Sequence, residues 1–145
     1  MKRRYFVLSG AALVSALAVH SQTGSSKLIV QVSYTGSGTV EESHKVHVVL
    51  WDTPDFVKGS SAMPIAIKSV TSKSATAEFD NVEKNPVYVS MVYDPAGKWD
   101  AMSPPPTGSS LGLYAKEPGT PTPIQLQPGK TTTITAKFDD SSKMQ

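Results

Sequence analysis

Lys27-Leu28-Ile29-Val30-Gln31-Val32-Ser33-Tyr34 decides the fold class. Leu28, Val30, Val32 and Tyr34 fall on every second residue, with Lys27, Gln31 and Ser33 among the residues between them. Successive side chains of an extended chain point to opposite faces, so a period of two describes a strand with one buried face. Thr35-Gly36-Ser37-Gly38 then ends the run as a loop.

The same period recurs downstream. Val46, Val48 and Leu50 lie on one face of a second strand and Lys45, His47, Val49 and Trp51 on the other. Both faces are partly apolar, which predicts a central strand. Met63, Ile65 and Ile67 alternate with Pro64, Ala66 and Lys68, and Pro64, lacking an amide donor, marks an edge strand or a strand start. Ala75, Ala77 and Phe79 predict a short fourth strand, and Val87, Val89, Met91 and Tyr93 a strongly apolar fifth. Ile134, Ala136 and Phe138, alternating with threonines and Lys137, predict the last. Eight of the 11 prolines fall between Pro95 and Pro128. Residues 94–123 therefore read as one long Pro/Gly-rich loop, with Ile124 and Leu126 as the sixth strand near its end. Seven short strands without helical spacing predict an all-β domain of two packed antiparallel sheets, a seven-stranded β-sandwich, with a closed barrel as the alternative. The domain spans 22–140, and 141–145 reads as a polar tail.

Upstream, Lys2, Arg3 and Arg4 precede an apolar run from Tyr5 to Val19, and small residues follow. These are the three parts of a signal peptide, 1–21, with cleavage after Ser21 or after Ala18. The apolar run is shorter than the ~20 residues a membrane-spanning helix needs, so no membrane insertion is expected after cleavage. Arg3-Arg4-Tyr5-Phe6-Val7 also suits a twin-arginine export signal, the alternative being an ordinary secretory signal with a basic start. Either route predicts a periplasmic or secreted protein.

Removing 1–21 takes away three of the 14 basic residues and none of the 12 acidic ones, leaving 11 against 12. Such a near-neutral chain has no electrostatic footprint for nucleic acid or an anionic membrane. There is no cysteine. The exported domain rests on packing alone, and thiolate and Cys-zinc chemistry are excluded.

The order of strand one, Trp51-Asp52-Thr53-Pro54-Asp55-Phe56, Phe79-Asp80-Asn81-Val82, Val89-Ser90-Met91-Val92-Tyr93-Asp94 and the Pro128-Gly129-Lys130-Thr131 strand entry resembles a known family. It is similar to small exported bacterial proteins of unknown function with a transthyretin-like (prealbumin-like) sandwich, related to the carboxypeptidase regulatory-like domains. The resemblance implies an immunoglobulin-like or transthyretin-like sandwich and an envelope location rather than an activity. Lys84-Asn85-Pro86 stands where relatives carry a Pro-Gly turn, which weakens any cation site inferred from the family.

Four constellations bear on chemistry. Asp94 and Asp100 flank Gly97 and faintly echo a calcium loop, since a hard cation wants several oxygens presented by a turn; no other cofactor is implied. His44 and His47 sit three apart and on a strand point to opposite faces, so they do not chelate one metal. Gly108-Ser109-Ser110-Leu111-Gly112 formally matches the nucleophile elbow, but the prolines before it and the absence of an α/β pattern deny Ser110 the strand-to-helix turn that chemistry needs. Trp99, Met102, Leu111, Leu113 and Tyr114 place apolar and aromatic groups among prolines, either as a loop that binds a partner or as a segment that folds back onto the core. The expected function is non-enzymatic: a structural or interaction domain that binds a protein or polysaccharide of the cell envelope, or else a small-ligand or calcium carrier using 94–100. Replacing Arg3 and Arg4 together by lysine separates the export routes. Loss of the protein from the periplasm assigns the twin-arginine route, and unchanged export assigns the ordinary secretory one.

Overall fold

A computed structural model describes residues 24–59 and 61–145. The expected signal segment and the Ser60 part of the turn after Lys58 lie outside the described residues. Seven strands follow in the order β1 (Ser26–Tyr34), β2 (Val46–Trp51), β3 (Ala66–Val70), β4 (Ser74–Val82), β5 (Tyr88–Tyr93), β6 (Ser110–Leu113) and β7 (Thr131–Phe138). They form a three-stranded sheet, β4-β1-β7, and a four-stranded sheet, β3-β2-β5-β6. The fold is all-β, in two sheets.

The core is where the period of two places it. Leu28, Val30, Val32 and Tyr34 of β1 meet Val46, Val48 and Leu50 of β2 and Val89, Met91 and Tyr93 of β5, all buried. Ala77 and Phe79 of β4 and Ile134, Ala136 and Phe138 of β7 complete the inner face of the smaller sheet. β2 is central, as its two-faced pattern requires. β1 pairs antiparallel with β4 but parallel with β7, from Lys27 opposite Thr131 to Tyr34 opposite Phe138. The expectation of wholly antiparallel sheets is corrected there.

Three further expectations are corrected. The sixth strand is Ser110–Leu113, inside the segment read as loop, and not Ile124 and Leu126. Pro121, Pro123 and Pro128 offer no amide to a ladder. Ile124 accordingly makes only an isolated bridge with Val87, and the Leu126 amide turns to the side chain of Asn85, whose peptide bond to Pro86 is cis. β3 begins at Ala66 rather than Met63, and it turns Ala66 and Val70 to the core while Ile67 faces outward. The 139–145 segment is not a free tail. Asp140 accepts hydrogen bonds from the Tyr34 hydroxyl at 2.5 Å, the Ser110 hydroxyl at 2.7 Å and the Ser37 amide at 2.9 Å. Ser142 and Met144 exchange backbone bonds with β6 and the residues before it.

The Asp140 junction ties β1, the loop after it, β6 and the chain beyond β7 to one carboxylate. It sits against an aromatic cluster in which the Tyr34 ring stacks on Tyr93 at 4.9 Å and meets Phe138 at 4.8 Å. The Tyr34 hydroxyl bond, the Ser37 amide and the Ser110 hydroxyl hold the Asp140 carboxyl far below the usual carboxylate range. Because the folded pKa lies below the unfolded one, this group stabilises the fold fully above about pH 4, and the contribution is lost as pH falls toward the depressed pKa. Asp140→Asn puts an amide donor where two N–H or O–H donors already point, so it should cost roughly 2 kcal/mol of stability at pH 7. Urea melts of both proteins between pH 7 and pH 2 check this: the gap should narrow in acid, and a gap that is absent or independent of pH contradicts the assignment.

Candidate functional site

The two sheets present different outer faces. On the three-stranded sheet, Thr131, Thr133, Thr135 and Lys137 stand exposed beside Gln31 and Ser33 of β1. Thr135 donates to the Gln31 carboxamide at 3.1 Å, and Lys27 pairs with Glu78 at 2.9 Å and Asp80 at 3.5 Å. This is the solvated side of a sheet whose other face packs on the core.

The outer face of the four-stranded sheet is apolar. Registers place Ser69, His47, Val92 and Leu111 in one row across β3, β2, β5 and β6, and Ile67, Val49, Ser90 and Leu113 in the next. Trp51 and Tyr88 stand opposite each other in the third. Val49 and Val92 are 1% and 4% exposed although they point away from the core, because larger side chains lie over this face. The Trp51 indole reaches across to donate to the Ser90 hydroxyl at 2.9 Å. Phe56 stacks on it at 4.5 Å with the rings 9° from parallel. Phe56 is delivered by a 3-10 turn, Pro54–Lys58, started by Thr53, whose hydroxyl takes the Asp55 amide, and by Pro54, and stopped by Gly59 in a left-handed conformation.

At the other end of β2 the covering ring is Trp99, edge-on to the His47 imidazole at 5.1 Å. Its position is set by loop chemistry. Asp94, buried at the end of β5, accepts from the amides of Ala96 at 2.8 Å, Lys98 at 2.6 Å and Trp99 at 2.9 Å. Burial pushes this carboxyl up, but the three amides outweigh it and hold its pKa below the ordinary value. Gly97 turns with φ of 67° directly over the Ser43 carbonyl, where any Cβ would overlap that oxygen. Asp100 takes the amides of Met102 at 2.9 Å and Ser103 at 3.2 Å and the Ser103 hydroxyl at 2.9 Å, while the Trp99 indole donates to the Ser103 carbonyl. Those amide donors lower the Asp100 pKa. Between them Ala101 has φ of 63°, a left-handed conformation costly for a residue with a side chain. The loop so closed projects Met102, 77% exposed.

The residues singled out from sequence thus separate. Trp99 and Met102 lie on the loop beside the apolar face, and Leu111 and Leu113 lie on the face itself. Tyr114 turns inward and packs against the core. Asp94 and Asp100 each accept from N–H groups of their own turn, Asp94 through both carboxylate oxygens and Asp100 through Oδ1. Among the described residues no three His, Cys, Asp or Glu side chains gather as metal ligands. His47 meets the Ser69 hydroxyl at 2.9 Å, and burial followed by nearby Lys45 lowers its pKa. His44 sits in the Glu41 to His44 turn, against Glu41 at 3.2 Å. Ser110 is buried, its hydroxyl committed to Asp140. An open cleft of about 480 Å³ at the start of β1, lined by Ser25, Ser26, Glu83, Lys84 and Asn85 among others, holds one carboxylate and no histidine. Trp51, Phe56, Ile67 and Tyr88 belong to the apolar face but were not among the sequence candidates; the signal was the second apolar set of β2, Val49 and Trp51.

No known protein family matches the chain, and no curated protein or solved structure is significantly similar to it.

Asp94→Ala removes the acceptor of three amides and should cost roughly 2 kcal/mol and free the Trp99 ring, read by its fluorescence and by a melt. Adding calcium to the unaltered protein should leave the midpoint where it is. A calcium-dependent rise abolished in Asp94→Ala would restore the cation reading of 94–100.

Proposed function

We propose that the chain is an exported, non-enzymatic binding domain that recognises a protein partner of the cell envelope through the outer face of the β3-β2-β5-β6 sheet. The observation that carries this reading is the asymmetry of the two outer faces, one made of threonines, Lys27, Lys137, Gln31, Glu78 and Asp80 around a single Ile29 and the other built from Trp51, Phe56, Tyr88, Ile67, Leu111 and Leu113. A contiguous apolar face on a soluble sheet marks an interaction surface, and aromatic residues and methionine with few charges are the composition of protein–protein contacts. Trp51 and Trp99 are rings fixed by hydrogen bonds to Ser90 and Ser103, so little side-chain entropy is lost when a partner covers them. The signal-like 1–21 segment supports export.

A hydrolase reading has nothing comparable behind it, since Ser110 is buried against a carboxylate. Capture from envelope extract by the mature protein tests the proposal. Leu113→Glu should keep the melt and lose capture at least tenfold, the scale of a central contact of about 1.4 kcal/mol or more. Thr133→Glu, on the opposite face, should leave capture unchanged. Capture that survives Leu113→Glu, or that is lost equally in both variants, overturns the face; a captured species sensitive to glycosidase rather than protease overturns the protein partner.

A further inference from the structure

β6 is the last strand of its sheet, yet its outer edge is occupied. The Leu111 amide donates to the Ser142 carbonyl at 2.8 Å, the Met144 amide to the Ser109 carbonyl at 2.9 Å and the Gly108 amide to the Met144 carbonyl at 2.8 Å, with Lys143 bridged antiparallel to Ser110. Residues 142–144 are therefore a short added strand. They bring almost no side-chain burial: Ser141, Ser142, Lys143 and Gln145 are exposed, and Met144 is half-buried. Main-chain bonds and a half-buried Met144 hold this segment, whereas Asp140 just before it is fixed by Tyr34, Ser37 and Ser110.

A second observation concerns what lies beside the strap. The Ser109 hydroxyl is buried with no hydrogen-bond partner, although the Ser109 carbonyl is the acceptor for Met144. A buried, unpaired hydroxyl costs free energy that admission of water or of a new donor recovers. Asp140, held by Tyr34, Ser37 and Ser110, is the fixed point at which a displaced 141–145 segment stays anchored.

We propose that the β6 edge is a strand-addition site for an extended peptide segment of the partner protein, and that residues 141–145 are its built-in occupant, displaced when the partner binds. Strand addition draws affinity from main-chain bonds and specificity from alternate side chains. The position opposite Leu111 is filled by Ser142, a polar end to the row Ser69, His47, Val92, Leu111. A partner strand with an apolar residue there would continue the row and gain burial that Ser142 does not supply. The proposal rests on the outer-face reading for its choice of partner, but its test reads the strap and not capture, so the two can fail separately.

Amide exchange and titration by NMR on the full chain decide it. In the unaltered protein the amides of Gly108, Leu111 and Met144 should exchange at least a hundredfold faster than those of Val30, Val48 and Met91, because the strap opens without global unfolding. Met144→Pro, which deletes one strap donor, should keep the cooperative melt. It should bind a synthetic peptide of residues 139–145 carrying Ser142→Leu at least tenfold more tightly than the unaltered chain does, with shifts at Leu111. Exchange of Leu111 at the rate of the core amides overturns the strap, and equal or absent peptide binding by the two proteins overturns the strand-addition site. If the melt of Met144→Pro is lost, the segment is part of the core fold and the proposal fails on that ground as well.

Discussion

The Phe138 ring lies where a side chain at position 112 would have to go. A Cβ built on Gly112 would stand 2.5 Å from the Phe138 Cβ, 2.6 Å from its Cγ and 2.8 Å from the Met91 methyl. That exclusion fixes the orientation of β6: glycine must face inward, Ser110 and Tyr114 face inward with it, and Leu111 and Leu113 face out. From it follow the Ser110 bond to Asp140, the closing of the Tyr34, Tyr93 and Phe138 cluster and the apolar rows that run from Leu111 and Leu113 across the sheet. A strand's whole side-chain set changes face when its register shifts by one, so this single close approach decides what the protein shows to its surroundings.

β3 makes the same choice at the opposite edge. Ala66 and Val70 fill the inner row beside β2, and Ile67 is left outside. With both edge strands of this sheet putting their larger apolar residues outward, the surface between them becomes a single field, on which Trp51 is tied to Ser90 and Phe56 and Trp99 meets His47. The three-stranded sheet has no such inversion; its threonines and charges meet water as the period of two requires.

Strands β1, β2, β5 and β7 were legible because their apolar sets are large enough to state a face: Leu28 to Tyr34, Val46 to Leu50, Val87 to Tyr93 and Ile134 to Phe138 all point where the alternation puts them. The facing of β3 and the place of β6 were not, since Leu111 with Leu113 and Ile65 with Ile67 are alternating apolar pairs that face outward, and no local pattern reveals that Phe138 or the sheet's own inner row has taken the interior. The prolines between 95 and 128 masked β6 by making its surroundings look like continuous loop. The Asp140 junction was invisible for another reason, as it joins residues more than a hundred positions apart, Tyr34 and Ser37 with Asp140. Asp94 and Asp100 were legible as residues of a turn around Gly97, but the backbone amides they accept from depend on loop geometry that the sequence does not state.

The outward orientation of the edge-strand leucines is tested most directly by solvent paramagnetic relaxation of methyl groups in the protein. The Leu111, Leu113 and Ile67 methyls should broaden with a soluble paramagnetic agent while those of Val30, Val48 and Ile134 remain sharp. Leucine methyls at 111 and 113 as shielded as the core valines would contradict the account, because they would place those side chains where Gly112 and Phe138 are packed.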